Sequence, residues 1–335
     1  MRLGIGGTLH TVTRREFAVL AGGAALWPAV AFAQASKHVV GFVNNGSAGS
    51  YALHLAAFRK GISEAGVVDG QVAIETRWAE GNIDRLPGIM QDLVERRVDV
   101  IATTGGTATP LAAKAASLRV PIVFAIGGDP IKFGLVASLN RPGGNMTGVS
   151  FLANTLLPKQ LEVLHEAVAK DAIIGFLVNP ANPNAEPDIA VVTSAATKLG
   201  RKLVVGKAKA KGEIDAALTS LAHQKAGALL IFPDALFTDA FPQLLTHASH
   251  YKLPTLYNSG DFALAGGLIG YGANQMEAYR FAGSYVGRIL KGEKPAELPV
   301  MQSTAVELIV NLKTAKSLGI EMPQPLLARA DRIIE

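Results

Sequence analysis

The chain has 335 residues, 49% of them hydrophobic and 18% charged, with 35 glycines. That is enough for two domains with proper cores and far from a disordered composition. The net charge of +5 falls to +3 without Arg2, Arg14, Arg15 and Glu16, and no basic face interleaved with aromatics appears, so nucleic-acid binding has no support. With no cysteine, disulfides, thiolate metal sites and a cysteine nucleophile are excluded.

Thr13-Arg-Arg-Glu-Phe17 precedes an apolar run from Ala18 to Phe32, broken by Gly22 and Gly23 and closing on Ala31-Phe-Ala33. Twin arginines, a moderately hydrophobic core and a small-x-small end predict an export signal of the twin-arginine type over residues 1–33, cleaved after Ala33. Some 15 apolar residues are too few to span a bilayer core of about 30 Å. The mature protein is expected in the periplasm.

His38 to Asn44 is the first expected strand, followed by the loop Asn44-Asn-Gly-Ser47. Leu55, Phe58, Ile62 and Ala65 then recur at helical spacing and predict a helix over 50–65. A strand over 72–77 and a helix over 84–97 follow. Val98 to Pro110 combines a short buried strand, the glycine turn Thr103-Thr-Gly-Gly-Thr107 and the start of an alanine-rich helix. Such a turn aims backbone N–H groups and a positive dipole end at an anionic ligand. A fourth strand over 120–126 ends in Gly127-Gly-Asp-Pro130, where Asp129 either accepts from a ligand ammonium or caps its own turn. Met146 to Ser150 reads as a connection out of the first sheet.

A second alternating series begins with a helix carrying Leu161, Leu164 and Val168. Its expected strands cover 172–178, 202–205, 228–232 and 254–257, and three of them end in polar loops: Asn179-Pro-Ala-Asn-Pro-Asn184, Pro233-Asp234 and Asn258-Ser-Gly-Asp261. In the tail, strands over 267–271 and 307–310 flank a helix over 275–291. The fold class is therefore α/β, with two doubly wound parallel-sheet lobes facing each other over a polar cleft. A tail that returns to the first lobe and recrosses gives three connections and predicts hinge closure. The expected lobes are 37–148 plus 268–300, and 149–267 plus 301–335.

No P-loop, no GxGxxG after a strand and no GxSxG elbow occurs, so nucleotide cofactors and a serine hydrolase lack their fingerprints. His247 and His250 have no acid spaced to complete a metal set, Lys207, Lys209 and Lys211 form a solvated loop, and His54 near the cleft is expected to pack. Neither metal nor cofactor is expected. The cleft offers donors, a few carboxylates and the aromatics Tyr51, Phe232, Tyr257 and Phe262. That suits a small ligand with a carboxylate, an ammonium in some cases, and an apolar or aromatic body.

Over essentially its whole length the chain resembles the periplasmic substrate-binding proteins of ABC transporters, in their tryptophan/tyrosine-type group. The likeness is carried by Arg14-Arg-Glu-Phe with Gly22-Gly-Ala-Ala, by Thr76-Arg-Trp-Ala-Glu-Gly81, by Thr103 to Thr107 and by Gly128-Asp-Pro130. It continues through Ser138 to Phe151, Val178 to Pro183, Gly287 to Pro295 and Asn311 to Lys316. The resemblance implies a two-lobed type I Venus-flytrap fold, no catalysis, and a monomer serving a membrane permease and its ATPase. It places ligand contacts on the strand-end loops. By that analogy Asn45, Ser47, Thr104, Gly105, Thr107 and Asp129 come from the first lobe, with Tyr51 beside them, and Asn182, Asp234, Tyr257 and Asp261 from the second. The expected ligand is an amino acid or an aromatic acid. A sensor subunit that presents its bound ligand to a membrane receptor is the alternative.

Overall fold

Val40, Phe42 and Val43 of the first strand, β1 (His38–Asn44), are wholly buried, because helices cover both faces of the sheet they belong to. This computed structural model describes residues 37–335 apart from Asp69, Leu152 and Thr304, so the expected export signal over residues 1–33 lies outside the described residues. No helix among the described residues is long and apolar enough to cross a membrane.

After β1 the chain alternates through α1 (Ala52–Glu64), β2 (Val72–Trp78), α2 (Leu86–Glu95), β3 (Val100–Thr104), α3 (Ala108–Ala116), β4 (Ile122–Ile126) and β5 (Met146–Ser150). The second series is α4 (Leu157–Ala167), β6 (Ile173–Val178), α5 (Ala185–Lys198), β7 (Leu203–Lys207), α6 (Ile214–His223) and β8 (Ala226–Ile231). It continues through α7 (Ala235–Asp239), α8 (Phe241–His250), β9 (Thr255–Tyr257), α9 (Gly260–Leu264) and β10 (Ile269–Ala273). The tail adds α10 (Gln275–Leu290), β11 (Met301–Gln302), β12 (Val306–Asn311), α11 (Leu312–Leu318), α12 (Gln324–Leu327) and β13 (Arg332–Ile334). Between β8 and β9 the chain forms two helices, α7 and α8, with Pro242 in the first turn of the second.

The strands form two sheets, in the orders β11-β5-β4-β3-β1-β2 and β13-β12-β10-β9-β8-β6-β7. All described pairings are parallel except β10 with β12. Met146–Ser150, expected as a connection, is a buried strand paired with β4. The chain passes between lobes three times: between Ser150 and Leu157, at Asn274, and between Gln302 and Val306. The expected boundaries shift accordingly. Ile269–Ala273, assigned above to the first lobe, pairs with β9 and β12 in the second sheet, and Met301–Gln302 joins the first sheet beside β5. A short buried strand fits either sheet equally well, and only its hydrogen-bond partners decide.

Side chains alternate across the first sheet. Val40 and Phe42 pack with Phe58 of α1 and Tyr279, Ala282 and Val286 of α10, while Val43 packs with Leu86, Met90 and Leu93 of α2. The α1–α10 contact is close because glycines face backbone. A Cβ on Gly61 would overlap the carbonyl of Arg280, and one on Gly283 the carbonyl of Phe58. Alanine gains at most about 1 kcal/mol in helix propensity, against about 3 kcal/mol for overpacking on atoms that cannot retreat. Gly61→Ala is thus expected to lower stability by about 2 kcal/mol, read as a lower thermal midpoint; an unchanged midpoint would show that the two helices part freely.

Candidate ligand-binding cleft

In each sheet the strand order reverses once, between β1 and β3 in the first lobe and between β6 and β8 in the second. Loops at the carboxyl ends of such strands splay apart and leave a crevice. Here the two crevices face each other.

In the first lobe, Asn44 at the end of β1 organises the crevice. Its Nδ2 donates to Thr104 Oγ1 at 2.9 Å and to the Tyr279 hydroxyl at 3.2 Å, and its Oδ1 accepts from the Gly46 N–H at 2.6 Å. Thr104 Oγ1 in turn donates to the Val43 carbonyl at 3.0 Å, locking β1 to β3. Gly105 follows with φ of 78°, and a Cβ there would lie 2.6 Å from Asn44 Oδ1 and from the Asn45 nitrogen. Glycine is therefore required on both conformational and steric grounds. The turn delivers Gly106 and Thr107 to the cleft at the start of α3, whose first turn leaves N–H groups without intrahelical acceptors.

In the second lobe the central group is Asp234, which is 6% exposed. Oδ1 caps α7 by accepting from the Leu236 N–H at 2.9 Å and also accepts from Asn179 Nδ2 at 3.2 Å; Oδ2 accepts from Asn182 Nδ2 at 2.7 Å. The Tyr257 hydroxyl sits behind it, donating to the Asp234 carbonyl at 2.9 Å. Burial pushes the Asp234 carboxyl up, and the three donors only partly offset this. No cationic side chain among the described residues pairs with it.

The lobes touch across the cleft. Asn184 Nδ2 donates to Thr107 Oγ1 at 3.0 Å, and the Ser47 N–H and Oγ both donate to Asp239 Oδ1, at 3.2 and 2.9 Å. At the crossing, Asn154 donates to Asp188 of α5, whose carboxyl burial raises to about 6. Between the lobes lies a chamber of about 440 Å³ of empty space, mouth included. Tyr51, Tyr279 and Phe151 give it an aromatic wall, opposite Asp234, Asn182, Asn184 and Asn258. Burial raises both tyrosine hydroxyls, so they are neutral donors and acceptors.

Of the residues expected to touch a ligand, Tyr51, Gly105, Thr107, Asn182 and Asp234 line this chamber. The other six are placed elsewhere. Asn45 is buried, its carbonyl accepting from the Gly81 N–H at 2.6 Å. Thr104 is consumed by the β1–β3 lock, Ser47 clasps Asp239, and Tyr257 supports Asp234 from behind. Asp129 is exposed, and its Oδ1 accepts from the N–H groups of Ile131 and Lys132 at 2.8 and 3.2 Å, so it caps its turn and does not face the cleft. Asp261 lines a separate hollow on the flank. Phe232 and Phe262, expected in the cleft, are fully buried in the second core. Asn184 was available to sequence reasoning, since it shares a loop with Asn182. Tyr279 carried no signal, because it sits on α10, 235 residues from its partner Asn44.

Similarity to known proteins covers nearly the whole described chain. A tyrosine-binding protein of Clostridioides difficile is 26% identical over 265 residues, which is 79% of this chain and 76% of that protein. Among solved structures, an ABC domain from Streptococcus pneumonia in complex with L-Trp is 26% identical, covers 89% of this chain and 100% of its own, and overlays with a TM-score of 0.80. The ligand-free, open structure of a substrate binding protein with adhesive properties from Clostridium difficile covers 89% of this chain and 99% of its own, at 24% identity and a TM-score of 0.61. The model of the ABC transporter substrate binding protein family matches residues 41–334, and the chain belongs to that family.

Proposed function

We propose that this protein is the extracytoplasmic, non-catalytic solute receptor of an ABC importer, and that its solute is an amino acid with an aromatic side chain. The observation that carries the reading is Asp234, a buried carboxylate without a cationic partner among the described residues, lining one chamber with the glycine turn at the start of α3. A ligand bearing both an ammonium and a carboxylate satisfies the two ends at once: the ammonium meets Asp234, and the carboxylate meets the Gly106–Thr107 turn. An aromatic acid without an ammonium leaves Asp234 unpaired in a desolvated site, which disfavours it. The aromatic wall accounts for the body of the ligand. The tyrosine-binding relative and the L-Trp complex agree with this chemistry.

In this reading the open protein, a monomer in the periplasm after removal of its export signal, binds the ligand on one lobe. The other lobe then closes through Asn184–Thr107 and Ser47–Asp239, and a membrane permease with its ATPase accepts the closed form. Closure requires that the ligand favour the closed form over the open one.

A thermal-shift screen of the protein from Gln34 onward, against amino acids, aromatic acids, short peptides and sugars, tests the solute class. An aromatic amino acid at a hundred times its dissociation constant is expected to add about 2.7 kcal/mol of stability. A shift with sugars alone, or with none of the panel, would overturn the reading.

A further inference from the structure

The start of α5 makes two contacts with the opposite side of the cleft. Asn184 donates to Thr107 of the first lobe, and Asp188 accepts from Asn154. The Asp188 N–H donates to the Asn184 carbonyl at 3.0 Å, so one helical turn carries both contacts. Asn154 lies in the crossing after β5, yet the first lobe holds it. Its N–H donates to the Gly127 carbonyl at the end of β4 at 3.4 Å, and its neighbour Ala153 is buried in the first-lobe core. The Asn154–Asp188 bond therefore joins the lobes.

Asp188 is the acid in this seam, and it is only 7% exposed. The charged group that acts on it is Lys132, from the loop after β4 in the first lobe. Asp129, in the same turn as Lys132, spends its carboxylate on the N–H groups of Ile131 and Lys132. On α5 itself Glu186 is exposed and pairs with Lys207 of β7. Desolvation outweighs the amide of Asn154 and the charge of Lys132, and it raises the Asp188 carboxyl to about 6. Asn154 covers the carboxyl from across the seam. Parting the lobes returns water to it, and with water the ordinary carboxylate range.

We propose that Asp188 couples closure of the lobes to proton uptake, so that the receptor closes more readily and holds its solute more tightly as its surroundings turn acidic. The inference rests on the reading of a closing receptor, but not on which solute is bound. A neutral carboxyl costs less to seal into the seam than a carboxylate, and its carbonyl oxygen still accepts from Asn154. The closed form binds the proton more readily than the open one, so falling pH favours closure. Asp188 does not line the chamber and acts through closure, not by touching the solute.

Calorimetric titration of L-tryptophan into wild type and Asp188→Asn, at pH 7.5, 6 and 5, tests the coupling. Asparagine is neutral throughout and keeps an acceptor for Asn154, so the variant is expected to bind about tenfold or more tighter than wild type at pH 7.5. Between pH 7.5 and 5 that gap is expected to shrink by about tenfold. Titration of Asp234 and of the solute is common to both proteins and cancels in the ratio. Lys132 is exposed and outside the chamber, and Lys132→Gln removes the charge that acts across the seam. The gain of that variant on acidification is expected to begin at a higher pH than that of wild type. A pH-independent ratio for Asp188→Asn, or an unmoved onset in Lys132→Gln, overturns the inference. If Asp188→Asn does not fold, the onset in Lys132→Gln decides alone. If neither L-tryptophan nor L-tyrosine binds wild type at any pH, the amino-acid reading fails and small-angle scattering of the ligand-free proteins decides the coupling. A smaller radius of gyration for Asp188→Asn than for wild type at pH 7.5, with the difference narrowing at pH 5, supports it; equal radii overturn it.

Discussion

Asp234→Asn is expected to weaken binding of an aromatic amino acid by about 30-fold to several thousand-fold, the equivalent of roughly 2–5 kcal/mol for breaking a desolvated charge pair. Asparagine caps a helix as well as aspartate does, so the bond from the Leu236 N–H survives and α7 keeps its start. The charge is what disappears. The same ligand without its amino group is expected to bind wild type weakly and to lose little more in the variant, which separates the ammonium contact from any general disturbance of the Asn179–Asn182 donors. Isothermal titration of both ligands against both proteins gives the four numbers. If the variant holds the amino acid as tightly as wild type does, Asp234 serves only α7 and the loop after β6.

As pH falls from 6.5 to 4, the stability of wild type relative to His54→Phe is expected to decline by about 3 kcal/mol. Burial lowers the His54 pKa from 6.5 to about 4, and each pH unit in that window is worth 1.36 kcal/mol. The unfolded imidazole takes up its proton near its ordinary pKa, while the folded one stays neutral until about pH 4. Inside the window the unfolded state therefore binds more protons, and the contribution of neutral His54 is full above 6.5 and lost as pH falls. Asp188, Asp234 and Asp261 act in the opposite sense. Burial raises their carboxyls, so the folded state takes up protons first and gains stability as pH falls. Both proteins carry these acids, so their effect cancels in the difference. Denaturant unfolding at pH 7, 5.5 and 4 measures it. A pH-independent difference would mean that the ring reaches water when protonated and is not sealed between Tyr51 and Tyr279.

Both predictions fall on side chains that the sequence placed only in part. Asp234 was one of four second-lobe candidates, placed there by the family resemblance because the loop after its strand lies at the ligand-binding edge of a parallel sheet. Asp129 occupied the same kind of position and does something else. Gly127 and Gly128 reach the chamber, and Gly128 lies so close to Thr107 that a Cβ would stand 2.5 Å from its Oγ1. One residue later the chain turns, and Asp129 spends its carboxylate on Ile131 and Lys132. Nothing in Gly-Gly-Asp-Pro distinguishes a turn cap from a ligand contact, since both use a carboxylate accepting from N–H groups. His54 was expected to pack, and it does pack against two tyrosines. That its nitrogens lack a partner among the described residues appears only when α1 and α10 come together.

The sequence by itself determined the alternation of strands and helices, the two-lobed α/β class with three crossings, and the loops that reach the cleft. These follow from interactions between near neighbours: a 3.6-residue apolar stripe, a buried run of β-branched residues, a glycine that alone tolerates positive φ. The tertiary structure decided strand order, and with it which sheet holds Ile269–Ala273 and which loops flank the reversal points. It also decided which polar side chains are used up inside a lobe, as Thr104 is, and which are left facing across the gap, as Asp234 and Asn184 are. Those outcomes depend on hydrogen bonds between residues 50 to 235 positions apart, such as Asn44 with Tyr279 and Asn184 with Thr107, and separations of that size leave no periodic trace in the chain.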